Sequence, residues 1–203
     1  MINFVFDGEN VLEVCQALEV IGPKSRQVLA RSANETAKKA RMLLGNKARE
    51  TYEVKKSGAN KSMSLQRATA ASPVAILTAK GRPIPLKQFK SQPATYNPSK
   101  RPEVVKARAI KAHKMAELQK DGNKGFIARM KSGHVGLFYR NGKKRFPIYE
   151  YYSISMPNML KSEEFVYGVL RPTIQDILQH HVERQIQRVL AGKGCWILLQ
   201  QTG

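Results

Sequence analysis

A chain of 203 residues with 35 Lys or Arg against 15 Asp or Glu is long enough to bury its own core, and its two cysteines, Cys15 and Cys195, give neither a disulfide framework nor a CxxC zinc site. The longest apolar stretch, Cys195 to Leu199, is far short of the roughly 20 residues of a membrane span, and the start, Met1-Ile2-Asn3-Phe4, has no basic region preceding a hydrophobic core, so a soluble, unexported chain in a reducing compartment is expected, with no membrane partner. The net charge of +20 is concentrated: residues 24–145 hold 30 Lys or Arg against 6 acids, which points to a polyanion, most commonly nucleic acid, and away from a merely solvated surface.

Residues 2–6, INFVF, read as a strand that leads through Asp7-Gly8 to a helix from Asn10 to Ile21, interrupted by Gly22-Pro23. Beyond it Leu29, Ala33, Ala37, Ala40, Leu44 and Ala48 recur at spacings of three and four, the apolar face of a long helix. Lys24, Arg31, Lys38, Arg49 and Lys56 fall on its far side as a basic stripe. Ser57 is a candidate cap for a short helix, and SLQRAT (64–69) and PVAILTAKG (73–81) read as strands. The two prolines of GRPIPLKQF (81–89) exclude a central strand and predict an extended crossover or edge segment. From Lys90 to Lys124 the chain is polar, basic and proline-containing, and reads as a projecting arm, extended at first and helical over Glu103–Gln119.

Gly125 to Leu160 is the most informative stretch. Phe126, Ala128 and Met130, then Val135, Leu137 and Tyr139, then Phe146, Ile148 and Tyr151 read as inward faces of a three-stranded antiparallel meander. Asn141-Gly142 predicts a type I′ turn between its second and third strands, with Lys143, Lys144 and Arg145 at the tip. Gly133 and Gly136, which flank His134, read as structural glycines. Met156-Pro157 ends the sheet, Ser162 with Glu163 and Glu164 starts a helix, and Gly168 and Pro172 break or kink it. Ile174, Ile177, Leu178, Val182, Ile186, Val189 and Leu190 then form an amphipathic stripe closed by Gly192, and the apolar tail CWILLQ (195–200) should pack on the core, add a strand or meet a neighbouring subunit.

The reading is one domain over 1–203 of α+β class, with a long N-terminal helix and a C-terminal amphipathic helix packed on an antiparallel sheet that contains the meander. A basic arm over 90–124 and an apolar tail over 193–203 extend it. No nucleotide-binding, metalloprotease or nucleophile-elbow motif occurs, the rings of His180 and His181 point about 100° apart, and Glu35, Glu50, Glu53, Glu103, Glu117 and Asp121 form no two-metal signature. Neither an enzyme nor a cofactor is expected.

Three blocks, Arg31-Ser32-Ala33-Asn34-Glu35-Thr36-Ala37, GRPIPLKQF at 81–89 and the Gly125–Leu160 segment, together resemble the prophage minor tail protein Z family of long-tailed bacteriophages, over roughly residues 15–190. The resemblance implies a structural virion protein completing the head-proximal end of the tail. It would form a homo-oligomeric ring, meet tail terminator or tail tube proteins and head-tail connector proteins, and help seat the end of the phage DNA. Backbone phosphates would then face Lys38, Lys39 and Arg41 of the long helix and Lys143, Lys144 and Arg145 of the hairpin tip. The charge alone would also fit a non-enzymatic nucleic-acid-binding accessory protein.

Overall fold

The computed structural model describes residues 2–7, 22–54, 59, 61–100 and 102–200, with the side chains of the last helix described to Ala191. In chain order its main elements are β1 (Ile2–Asp7), α1 (Ser25–Thr51), β2 (Met63–Gln66), β3 (Val74–Ala79), β4 (Pro83–Pro85) and β5 (Lys90–Gln92). Then come β6 (Lys106–Arg108), β7 (Ala116–Glu117), β8 (Gln119–Lys120), β9 (Asn123–Lys124), β10 (Phe126–Arg129), β11 (Val135–Arg140), β12 (Ile148–Glu150) and β13 (Tyr152–Ser155). Two helices finish it, α2 (Met156–Lys161) and α3 (Tyr167–Gln200). The class is α+β, as expected, with the strands spread over several small antiparallel sheets. The predicted helix over Asn10–Ile21, the Ser57 cap and Lys56 lie outside the described residues.

The chain divides into two compact units. The first comprises Met1–Leu44, Met63–Lys80 and Tyr167–Gly203. Its sheet runs β1-β3-β2, with β3 central and Ala75, Leu77 and Ala79 buried. The predicted apolar face of α1 is buried along its whole length, from Leu29 through Ala33, Ala37, Ala40 and Leu44 to Ala48. Val28 and Leu29 of α1 pack with Val182 and Ile186 of α3, and Leu178 and Val189 flank them, so the α3 stripe is as read except at its exposed end, Leu190. Its boundaries differ: α3 begins at Tyr167, after a turn over 163–166, and not at Ser162. Pro172 does not break α3, because it falls near the helix start and costs one i to i−4 hydrogen bond. Gly192 does not close it either, and the backbone remains helical to Gln200.

The second unit comprises Gly45–Ser62 and Gly81–Val166. β10-β11-β12 form the expected antiparallel meander. Its phase is corrected in β10: Ile127 pairs with Leu137, whereas Phe126 and Ala128 pair with Phe138 and Gly136 on the opposite face. Leu137 is fully buried against Val105 and Ala107, and Leu86, Leu118, Ile127 and Tyr151 complete that cluster. Phe146, expected inward, is 63% exposed. β4 is an edge strand paired with β13, as its prolines require, and Leu86 N–H donates to the Tyr151 carbonyl at 2.8 Å.

The 90–124 segment differs from its reading. No helix forms over 103–119: β5, β6 and β7 make a three-stranded sheet, and Val105 and Ala107 enter the core on alternate positions. Arg108 holds Glu53 at 2.7 Å and Tyr52 bridges to Ile110, which fasten the segment to the end of α1. The β5–β6 loop and most of residues 111–124 remain exposed.

The turns also change places. Register runs from Arg140↔Ile148, so the β11–β12 connection is a seven-residue loop, 141–147, in which Gly142 has φ +82° and Asn141 does not have positive φ. Pro147, without an N–H, cannot extend the ladder into the loop. The type I′ signature is instead at Asp121-Gly122, with φ of +50° and +74°, joining β8 and β9. Because a Cβ on Gly122 would meet nothing within 4 Å, Gly122→Ala is expected to cost about 1–2 kcal/mol through backbone conformation alone, measurable by chemical denaturation.

Candidate nucleic-acid interface

Strands β11 and β12 carry the basic loop outward. Lys143, Lys144 and Arg145 are exposed in succession, no acid lies within 141–147, and Asn123 Nδ2 ties down the loop by donating to the Gly142 carbonyl at 3.2 Å. The Arg145 guanidinium sits 5.6 Å from the centroid of Phe146. Elsewhere five of the six carboxylates of the basic middle are consumed locally: Glu35 with Arg184, Glu50 with Lys47, Glu53 with Arg108, Glu103 with Lys124 and Glu117 with Lys106; the sixth, Asp121, lies in the β8–β9 turn. The loop cations have no ion-pair partner among the described residues.

One face of the meander bears a tyrosine ladder that strand alternation alone did not reveal. Tyr149 stacks on Tyr139 with centroids 5.6 Å apart, and Tyr139 meets Tyr151 at 4.8 Å. Lys120 Nζ lies 4.2 Å over the Tyr139 ring and donates to its hydroxyl at 3.0 Å, which with nearby phenols and Asp121 raises the lysine pKa. Burial raises that of Tyr151, whose hydroxyl has no hydrogen-bond partner among the described residues. The signal in sequence was tyrosine at 149 and 151, but the contact with Tyr139 depends on register.

On the other face His134 and Glu150 pair at 2.8 Å, and Tyr152 Oη donates to the second Glu150 oxygen at 3.0 Å. A Cβ on Gly136 would lie 2.5 Å from Glu150 Oε1 and 2.8 Å from the Phe138 ring, so the glycine leaves room for this pair to cross the strand. The arrangement gives His134 a bracing position between strands.

Lys38, Lys39 and Arg41 lie on α1, in the other unit. Lys38 and Lys39 are exposed; Arg41 is half-buried and already has a partner. Lys39 and His181 line a shallow depression with Thr173, Asp176, Ile177 and His180. The polar residues of the first family-like block hold α1 in place. Ser32 Oγ donates to the His181 carbonyl at 3.2 Å, Thr36 Oγ1 bonds His181 Nδ1 at 3.0 Å, and Asn34 both donates to and accepts from the backbone of Ala68 at 2.9 Å. Glu35 accepts from Arg184 and Gln185. No group of three or more His, Cys, Asp or Glu that could hold a metal occurs among the described residues.

Burial lowers the His181 pKa below the ordinary 6.5, and Arg184, His180 and Lys39 lower it further against the opposing pull of Glu35. The fold therefore favours neutral His181. Its contribution to stability is present above the unfolded value and is lost as pH falls through 6.5 towards the folded one. Thermal melts between about pH 5 and about pH 7.5 should show a decline on acidification that His181→Gln reduces.

All three blocks thus occupy structural positions, in α1, around β4 and across the meander, and the model of the prophage minor tail protein Z family matches residues 14–192. The chain belongs to that family. No curated protein and no solved structure matches it. As a prophage minor tail protein Z family member it is a bacteriophage minor tail protein, a virion component that associates with other parts of the tail. No helix among its described residues is long and apolar enough to cross a membrane.

Proposed function

We propose that this minor tail protein acts as one non-enzymatic tail-completion domain that assembles into a homo-oligomeric ring at the head-proximal end of the tail. The ring joins the tail to head-tail connector proteins, contacts the tail terminator or tail tube, and seats the DNA end through backbone phosphates. The observation that carries the DNA contact is the run Lys143-Lys144-Arg145, exposed and without carboxylate partners on a loop framed by two strands, in a chain of the minor tail family. Lys38 and Lys39 offer a second exposed cationic pair on α1, beside Arg41.

Tails assembled without the protein, imaged in negative stain and mixed with filled heads, test the reading. Tails that are malformed at the head-proximal end and fail to join heads, with joining restored by added protein, are expected. Normal tails that join heads without it would refute the proposal.

A further inference from the structure

The basic loop also presents an aromatic surface that phosphate binding does not require. Phe146 is 63% exposed directly after three cations that have no ion-pair partner among the described residues, and Tyr149 is 45% exposed while its ring is backed by Tyr139. The Tyr139↔Tyr149 pair lies one residue inside Arg140↔Ile148, the pair that closes the 141–147 loop, so both exposed rings and all three cations belong to the same end of the meander. Two exposed rings beside three cations make a mixed aromatic and basic surface, which an anionic partner with flat apolar faces complements. A single-stranded nucleic acid offers both at every nucleotide, whereas a duplex offers phosphates but keeps its base faces stacked on one another.

We infer that the 141–147 loop binds unpaired nucleotides, with a base stacked on Phe146 and the flanking phosphates held by Lys143, Lys144 and Arg145. This rests on the DNA contact proposed above and specifies its ligand as single-stranded nucleic acid.

Fluorescence anisotropy with the full-length protein and three labelled probes of equal length tests it: a single-stranded oligodeoxynucleotide, the same strand with abasic sites throughout, and a duplex. The intact single strand should bind about tenfold more tightly than the abasic strand, which has the same phosphates but no base to stack. Phe146→Leu should reduce that preference to within about twofold and Phe146→Tyr should retain it, while duplex affinity changes little in either. Equal binding of intact and abasic strands by the unmodified protein overturns the inference without recourse to any variant. So does a Phe146→Leu variant that keeps the preference, or loses duplex and single-strand affinity alike. If no probe binds, or if Lys143→Ala/Lys144→Ala/Arg145→Ala leaves duplex affinity unchanged, the phosphate contact proposed for this loop falls as well.

Discussion

Leu137→Ala is expected to destabilise the unit built on the meander by about 3 kcal/mol, the largest effect of any single truncation proposed for that unit. Leu137 is fully buried in β11, where its side chain meets Val105 and Ala107 and is flanked by Ile127, Leu86, Leu118 and Tyr151. Removing it takes away its transfer free energy and leaves a cavity bordered by five separate chain segments, which cannot all collapse inward together. Urea denaturation followed by the near-ultraviolet signal of the Tyr139, Tyr149 and Tyr151 cluster provides the measurement. Val105→Ala should cost about 2 kcal/mol by the same probe. A projecting arm would predict almost no effect at position 105, so a loss well below 1 kcal/mol there would contradict the packing of the 90–124 segment.

The second large effect concerns salt. If Lys143, Lys144 and Arg145 each neutralise a duplex phosphate, their simultaneous replacement by alanine should make the slope of log affinity against log salt shallower by about 2.7, at about 0.9 per contact. Lys38→Ala/Lys39→Ala should make it shallower by about 1.8 if both reach phosphate. An unchanged slope removes the cluster concerned from the DNA contact, and because all five side chains are exposed the variants should keep their thermal stability.

The helical stripes were readable because they repeat over many turns: Leu29 to Ala48 and Ile174 to Val189 each give several chances to fix the phase. A four-residue strand gives few. In β10 both faces carry large side chains, and Phe126 looks like a core residue until Arg140 is found 4.4 Å over its ring, while Ile127 faces Leu137. Asn141-Gly142 and Asp121-Gly122 have equal turn chemistry, and what separates them is the proline at 147 downstream of the first. The helix expected over Glu103–Gln119 does not form, because Val105 and Ala107, too few to stand out in a basic segment, place alternate positions of an extended stretch in the core. Of the candidate interface, the cations were legible as a run of adjacent residues. The aromatic partners were not, since Tyr139 meets Tyr149 only through strand pairing.

The alanine seam of α1 is smooth, and a smooth seam specifies burial without specifying position: turned or slid by one helical step, Ala33, Ala37 and Ala40 would present much the same surface. Asn34 grips both backbone polar atoms of Ala68, while Ser32 and Thr36 engage the carbonyl and the ring of one histidine in α3. These bonds can be made together at only one rotation and one height of the helix. They act as an index pin for a rod that its hydrophobic packing would leave free to creep, and they thereby fix the direction in which Lys38 and Lys39 point.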